Sequence, residues 1–342
     1  MMRPSTSPTN SLNTRANQVD DSVDEINPDI ELLTRVASMY YLDDATQQEI
    51  ALALGLSRPK VGRLLKKAKE EGIVEITVRT HPALSMQLER ALTERFGLRQ
   101  AMLVSDQRDP DAQRAQVARM VANFLVRNLR DGHAVAVGMG RNVGAVPDHV
   151  IDAAPRKCTF ISAMGGSPHV GQPINPNDIC RRLAERFGGY AEVLYAPAYA
   201  DSRAMRDSIM GHDDVRQSLD HARRADFALV GIGDARDDSA VVQMGCFTAR
   251  EMRQMRHSGA VGDILGCFFN LDGTPVADNM LNRTVGLSPD DLRKIPCVIA
   301  VASETGKSMA ILGALRSGIV NVLATSIGNA RSVLELADGV RP

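Results

Sequence analysis

The spacing of apolar residues divides the chain into segments of different character. Residues 1–28 are polar, rich in Ser, Thr, Asn and Pro, and end in an acidic run, so we predict a disordered tail. Helical spacing of apolar residues then predicts three helices, over residues 30–42, 47–54 and 58–71. Residues 73–78 alternate apolar and polar side chains as a strand does. Together these elements predict one small domain over residues 29–80.

The remainder of the chain has the pattern of a larger α/β domain. Apolar residues recur every four positions from Leu84 to Phe96, which predicts a connector helix over residues 81–97. Short apolar runs then alternate with amphipathic segments, the runs lying at 101–105, 133–138, 158–164, 227–233, 297–302 and 321–326. This alternation predicts a mostly parallel sheet with helices on both faces. We expect residues 98–342 to form one domain that binds its ligand at the carboxyl ends of the strands.

Residues 46–72 have the pattern of a helix-turn-helix. Thr46 and Glu49 fit a capping box that begins the first helix. Gly55 suits the left-handed conformation of the turn, and Ser57 fits the N-cap of the second helix. A small residue before the turn and apolar residues after it let two helices cross closely. The second helix then has the position of a recognition helix in the major groove of DNA.

The outer face of that second helix carries the candidate DNA contacts. They are Ser57, Arg58, Lys60, Arg63, Lys66 and Lys67. Arginine can contact guanine with two hydrogen bonds, so Arg58 and Arg63 are the candidates for base contacts, whereas the lysines suit phosphates. The alternative is a basic face that contacts only water, but the caps, the turn glycine and the following strand, as a wing, agree with DNA binding. So small a module needs a dimer to bind DNA usefully, so the large domain is expected to assemble subunits.

Composition limits the other functions. The formal net charge of the 342 residues is −1, so DNA binding must depend on a local basic patch. Five cysteines lie far apart without a CxxC pair, which disfavours a zinc site or a disulfide framework and favours a reduced compartment. No apolar run has the length of a membrane span or a signal core. We therefore expect a cytoplasmic protein that needs no metal, cofactor or membrane.

Three loops of the large domain carry candidate ligand groups. Residues 133–146 form a strand and a GxGxxxG turn, where backbone N–H groups suit an anion such as a sugar phosphate. A later loop contains GKS, but Val301 stands where a P-loop needs its first glycine, which argues against nucleotide hydrolysis. Lys307 in this loop suits a phosphate or a sugar hydroxyl. Asp263 lies in an apolar segment and needs a partner, either a ligand hydroxyl or Lys307.

From about residue 30 to its end the chain resembles the SorC family of sugar-binding bacterial transcriptional regulators. The resemblance rests on the segment at 46–76, on GMGRN, on AMGG followed by NPNDICRRLA, on LVGIG, on AVGDILGCFFNLDG and on the GK-containing loop before AILGALRSGIVNVLAT. It implies an N-terminal helix-turn-helix and an effector domain similar to sugar-phosphate isomerases and deaminases. It also implies a tetramer whose partners are double-stranded operator DNA and a small carbohydrate effector.

The resemblance further implies an effector pocket. Its residues would be Gly138, Gly140, Arg141, Asn142, Gly165, Gly166, Asn177, Asp263 and Lys307. Asn142 stands where the family usually has Thr, and Ser303 and Glu304 stand where it commonly has a Gly pair. Glu304 is unfavourable beside a phosphate unless another charge neutralises it. The effector is therefore a phosphorylated sugar or, as the rival, a polyol or free sugar.

The leading hypothesis is a regulator of a carbohydrate catabolic operon whose affinity for its operator changes when the effector binds. One rival is a sugar-phosphate isomerase or deaminase that carries a DNA-binding module, with Asp263 and Lys307 as its acid–base pair. Another is a DNA-binding scaffold with an empty pocket. We predict a protein without catalytic residues.

Overall fold

The protein is described by a computed structural model over residues 28–74, 82–151, 153–166, 174–276 and 283–339. Nearly all of the predicted tail and most of the predicted strand at 73–78 lie outside the described residues. The chain divides into two compact units, residues 1–77 and 78–342.

The described part of the first unit is helical. Its helices are α1 (Pro28–Tyr41), α2 (Gln47–Leu54) and α3 (Arg58–Glu70). The Thr46 hydroxyl accepts a hydrogen bond from the Glu49 N–H at 3.3 Å, and the Glu49 carboxylate accepts one from the Thr46 N–H at 2.8 Å. The predicted capping box is therefore present. Gly55 has a φ of 65°, which is the left-handed conformation predicted for the turn, whereas Ser57 begins α3 without a side-chain capping hydrogen bond.

The second unit alternates helices and strands. Its helices are α4 (Pro82–Phe96), α5 (Pro110–Asn128), α6 (Arg141–Ala145), α7 (Pro176–Phe187), α8 (Arg203–Gly211), α9 (Asp213–Arg223), α10 (Ala240–Gln243), α11 (Ala249–His257), α12 (Pro289–Arg293), α13 (Ser308–Arg316) and α14 (Ile327–Ala337), with a 3₁₀ turn at Val146–His149. Its strands are β1 (Gln100–Val104), β2 (Ala134–Val137), β3 (Thr159–Ser162), β4 (Tyr190–Glu192), β5 (Phe227–Gly231), β6 (Gly233–Asp234), β7 (Gly262–Ile264), β8 (Cys267–Phe269), β9 (Cys297–Val301) and β10 (Val322–Ser326).

Seven strands form one sheet in the order β1–β10–β9–β5–β2–β3–β4. Its strand pairs are all parallel, so the predicted fold class is confirmed. Six of the strands coincide with the six predicted apolar runs. The seventh, β4, was not predicted because it is a three-residue edge strand whose first residue, Tyr190, is 62% exposed.

Helices cover both faces of this sheet. Val135 and Val137 of β2 pack into one buried cluster with residues of α5 and α7. Ala136, between them, packs into the opposite cluster with residues of α4, α9, α13 and α14. Successive residues of a strand point to opposite faces, so burial on both faces explains why the strands read as continuous apolar runs.

A small antiparallel sheet lies beside the carboxyl end of β5. It consists of β6, β7 and β8. β6 follows β5 after Ile232 alone, and Leu265 and Gly266 both have positive φ in the turn between β7 and β8. This sheet was not predicted, because strands of two or three residues that contain Gly and Asp lack an alternating apolar pattern. It places Asp263 close to the ends of the parallel strands.

Candidate functional site

The candidate site lies where the carboxyl ends of three neighbouring strands meet. β5 pairs with β2 on one side and with β9 on the other. From here the chain builds the sheet outward in opposite directions, from β2 to β3 and β4 on one side and from β5 to β9 and β10 on the other. Such a change of direction opens a crevice at the strand ends, which is the usual ligand position in α/β sheets.

A cavity of about 70 Å³ occupies this position. It is lined by residues that follow the three strands, by the β7–β8 turn and by Tyr199. The lining residues are Met139, Gly140, Arg141, Asn142, Tyr199, Gly231, Ile232, Gly233, Asp234, Arg236, Asp238, Ser239, Val241, Met244, Asp263, Leu265, Gly266, Glu304 and Lys307. Five of the predicted effector residues are therefore brought together, namely Gly140, Arg141, Asn142, Asp263 and Lys307.

The glycine loop after β2 brings backbone close to the cavity. Gly140 has a φ of 118°, which glycine adopts far more readily than residues with a side chain, and its N–H donates to the Ile174 carbonyl at 3.0 Å. Gly138 lies behind the cavity wall, where a Cβ would come within 2.7 Å of the Leu265 side chain. Gly138 therefore supports the β7–β8 turn and is not itself a lining residue.

Glu304 lies at the centre of a polar cluster. Its Oε2 is 3.0 Å from Lys307 Nζ and accepts a hydrogen bond from Asn142 Nδ2 at 2.9 Å. Arg141 lies 3.7 Å from its other oxygen, and Lys307 Nζ also donates to the Ile232 carbonyl at 2.8 Å. The side chains of Glu304 and Lys307 are 14% and 10% exposed. Burial by itself would raise the pKa of Glu304, but the charge of Lys307 and the hydrogen bonds from Asn142 and Lys307 lower it to about 2.

Asp263 accepts a hydrogen bond from the backbone, whereas the sequence suggested Lys307 or a ligand hydroxyl as its partner. Its Oδ2 accepts a hydrogen bond from the Gly266 N–H at 2.9 Å, across the turn that joins β7 and β8, while Lys307 bonds to Glu304 and to the Ile232 carbonyl. Burial raises the pKa of Asp263 to about 6, against the Gly266 hydrogen bond and the charge of Lys307. Asp234 adds to the rise.

Two buried hydroxyl groups face the cavity without a hydrogen-bond partner among the described residues. They belong to Tyr199 and Ser239. Burial raises the pKa of the Tyr199 phenol well above its ordinary value, so the phenol stays protonated. A buried polar group without a partner is costly, so a ligand hydroxyl would relieve it. Sequence reasoning missed both residues, since they lie in loops without a motif.

Charged residues after β5 were also missed. Arg236 lies 3.3 Å from Asp234 and 3.4 Å from Asp238, and all three line the cavity. The GDARDD segment lies at the carboxyl end of a predicted strand. Because ligands bind at the carboxyl ends of parallel strands, this position could have identified the three charged residues.

Three predicted effector residues lie away from this cavity. Gly166 and Asn177 line a second cavity of about 500 Å³, whose wall also includes Tyr199. The Asn177 amide is used by the fold, because it accepts from the Ser162 hydroxyl at 2.6 Å and from the Leu194 N–H at 3.0 Å. Gly165 packs against the backbone of a neighbouring loop. The structure thus gives Gly165 and Asn177 a packing role.

Replacing Gly165 by Ala should destabilise the second unit. A Cβ at this position would overlap the carbonyl groups of Ala196 and Pro197, and backbone cannot move aside as a flexible side chain can. We expect a loss of about 1–3 kcal/mol in the free energy of unfolding, measured by urea denaturation. Gly211→Ala is the matched control, since no atom lies within 4 Å of its added Cβ. Equal stability of the two variants would contradict the packing role of Gly165.

The other candidate surface is the outer face of α3. Val61 and Leu65 are buried in the first unit, while Ser57, Arg58, Lys60, Arg63, Lys66 and Lys67 are exposed. Lys66 lies 3.6 Å from Glu70, and Lys67 lies 4.0 Å from Asp29. Arg58, Lys60 and Arg63 form no ion pair within the part of the chain that the structure describes. These three cations are therefore available to an anionic partner.

Two other kinds of site are absent from the described residues. None of their helices combines the length and apolar character that a membrane crossing requires. The same residues contain no group of three or more His, Cys, Asp or Glu side chains placed to hold a metal ion.

Comparisons with known proteins match both units. The family model described as "Putative sugar-binding domain" matches residues 80–335, and the model for "Winged helix-turn-helix DNA-binding" matches residues 43–75. The chain is 30% identical to the transcriptional regulator LsrR of Klebsiella pneumoniae, over 90% of this chain and 94% of that protein.

Solved structures give the same result. The full-length sorbitol operon regulator SorC from Klebsiella pneumoniae is 27% identical with a TM-score of 0.69, over 90% of this chain and all of that one. The "Putative Sugar-Binding Domain of Transcriptional Repressor" from Vibrio fischeri is 47% identical with a TM-score of 0.70, over 74% of this chain and all of that one. The similarity thus extends through the candidate DNA-binding unit and the candidate ligand-binding unit.

Proposed function

Because the chain belongs to the SorC family of sugar-binding transcriptional regulators, we propose that its effector is a small carbohydrate bound at the carboxyl ends of β2, β5 and β9. The protein is a DNA-binding regulator of the class that controls sugar and polyol operons. The observation that carries the proposal is the cavity itself, where the unpartnered hydroxyls of Tyr199 and Ser239 and the buried carboxyl of Asp263 converge. Such groups suit a ligand with several hydroxyls.

Regulation requires that the effector change the arrangement of subunits. We propose a cytoplasmic homotetramer in which pairs of α3 helices bind a palindromic operator, since two recognition helices must match two half-sites. To act as a switch, the effector must bind one subunit arrangement more tightly than the other, by ~1–3 kcal/mol.

The effector can be identified by a thermal-shift screen of the full chain against sugars, polyols and their phosphates. A ligand at 100 times its dissociation constant should add ~2.7 kcal/mol of stability. A compound that shifts the melting temperature should also change operator affinity, and Tyr199→Phe, which removes one buried hydroxyl, should weaken both effects. No shift with any compound would favour the scaffold hypothesis.

Replacing Arg63 by Ala should weaken operator binding by ~1–3 kcal/mol, a loss of roughly 5- to 150-fold, if the guanidinium contacts a base. The side chain is exposed on α3, so its removal should leave the fold intact. Fluorescence anisotropy with labelled operator measures the change. Arg331→Ala, exposed on α14 in the second unit, is the control. Unchanged affinity in the Arg63 variant would remove Arg63 from the recognition surface.

We also propose that the cavity binds its ligand without turnover. Asp263 and Lys307 both line it, but the Lys307 ammonium is occupied by the Glu304 carboxylate and the Ile232 carbonyl. General acid–base catalysis needs two groups free to exchange protons with the substrate. Assays with pentose and hexose phosphates should show no isomerisation or deamination. A substantial rate that Asp263→Asn abolishes would establish the enzyme alternative.

A further inference from the structure

We propose that Glu304 occupies the position of a ligand anion, so that the cavity selects an uncharged polyhydroxylated effector and excludes the phosphate ester of the same compound. Glu304 is thereby a specificity-determining residue. The inference rests on the proposed function only in placing the effector in this cavity.

The geometry of Glu304 is that of a bound anion. One carboxylate oxygen contacts the Lys307 ammonium at 3.0 Å and the Asn142 amide at 2.9 Å, and the Arg141 guanidinium lies 3.7 Å from the other oxygen. An ammonium, an amide N–H and a guanidinium are the donors that proteins use for phosphate. The protein's own carboxylate therefore already takes the donors that a phosphate ester would need.

The loop that carries Glu304 is held in place on both sides. Ser303 is fully buried and its hydroxyl donates to the Asn142 side-chain carbonyl. The Glu304 carbonyl accepts a hydrogen bond from Asn329 Nδ2 at 3.1 Å. A phosphate could take the place of the carboxylate only by breaking its ion pair with Lys307 and leaving a partly buried charge without its cation, which is costly.

The charge of the whole cavity opposes a second anion. Three basic side chains line it, those of Arg141, Arg236 and Lys307, against four carboxyl groups. Two of the carboxylates, those of Asp234 and Asp238, lie beside Arg236 and offset its charge as Glu304 offsets that of Lys307. A phosphate ester would bring up to two further negative charges into a lining without excess positive charge.

The remaining free groups suit hydroxyls. Tyr199 and Ser239 present buried hydroxyls without partners among the described residues, and each can donate to and accept from a ligand hydroxyl. Asp263 adds a carboxyl group that is bonded to the Gly266 N–H through one oxygen. A polyol or an unphosphorylated sugar supplies the matching donors and acceptors without adding charge.

Anion binding can be measured before the natural effector is known. Inorganic phosphate and sulfate are titrated by calorimetry into the full-length wild type and into Glu304→Ala and Glu304→Gln, with Glu335→Ala, exposed on α14, as the control. We expect both Glu304 variants to bind phosphate at least tenfold more tightly than the wild type and the control. Glu304→Gln keeps the side-chain volume and removes the charge, so phosphate binding can still be measured if Glu304→Ala folds poorly. Phosphate binding to the wild type as tight as to both variants would overturn the proposal.

A second arm tests the effector itself. Matched pairs, such as sorbitol with sorbitol 6-phosphate and erythritol with erythritol 4-phosphate, are tested for their effect on melting temperature and on operator affinity. Wild type should respond only to the uncharged member of a pair, and Glu304→Ala should gain a response to the phosphorylated member. A wild-type response to the phosphorylated member alone would overturn the role of Glu304 while leaving the proposed regulator function intact. Loss of the regulator function would appear separately, as operator binding that no compound changes.

Discussion

Asp263→Asn is expected to stabilise the second unit at pH 8 and to leave its stability nearly unchanged at pH 4. Burial raises the pKa of Asp263 from 3.8 to about 6, so the folded protein holds this proton over a range in which the unfolded chain has released it. The neutral carboxyl makes its whole contribution to the free energy of unfolding below pH 3.8, and this contribution is lost as the pH rises through about 6. The shift corresponds to on the order of 3 kcal/mol at pH 8, which an uncharged Asn side chain should largely recover.

Urea denaturation of wild type and variant at both pH values measures this difference. Asp201→Asn is the control, since its carboxyl is exposed and its replacement should change little at either pH. The Asp263→Asn substitution should also weaken the effector response, because it replaces the buried carboxyl that faces the ligand. An equal gain at pH 4 and pH 8 would show that the effect comes from packing rather than from charge. Lower stability at pH 8 would show that the carboxylate's hydrogen bond outweighs the cost of its burial.

The parallel sheet was predictable because its strands are buried on both faces. Val135, Ala136 and Val137 alternate between two apolar clusters, so an apolar residue is required at every position and the run is visible in the sequence. The short antiparallel strands carry no such pattern. Their presence depends on the turn at Leu265 and Gly266 and on pairing between Gly233 and Asp263. This pairing joins residues that are distant in the sequence, so the spacing of apolar residues does not predict it.

The candidate site was predictable in part for a similar reason. Gly140, Arg141, Asn142 and Lys307 directly follow strands of the sheet, and the carboxyl ends of neighbouring parallel strands meet at one edge. Tyr199 lines the same cavity from a loop that does not follow β2, β5 or β9. Its position in the sequence therefore gave no sign that it lies at the site. The sequence also showed that Glu304 needs a neutralising charge, but only the structure identifies Lys307 and Asn142 as its partners.

Lys307→Ala should cost about 3–5 kcal/mol of stability at neutral pH and abolish the response to effector. The Lys307 ammonium bonds to the Glu304 carboxylate at 3.0 Å and to the Ile232 carbonyl at 2.8 Å, and both side chains of the ion pair are largely buried. Removing one member of such a pair leaves the other charge without compensation. In the wild type the lowered pKa of Glu304, about 2, contributes stability that is present above pH 4.5 and is lost as the pH falls through 2. The difference between variant and wild type should therefore shrink as the pH falls from 4.5 towards 2, as followed by urea denaturation at pH 7, pH 4 and pH 3.

The double variant Lys307→Ala with Glu304→Ala separates the ion pair from the packing of Lys307. If the unpaired carboxylate causes the loss, removing it should recover much of the stability, and the double-mutant cycle should give a coupling of roughly 1–3 kcal/mol. Lys294→Ala, at an exposed lysine, is the control and should be nearly neutral. Additive losses would show that the carboxylate does not depend on Lys307. A double variant that regains stability but not the effector response would show that the lysine acts on the ligand as well as on Glu304, because the fold would then be intact while the switch was lost.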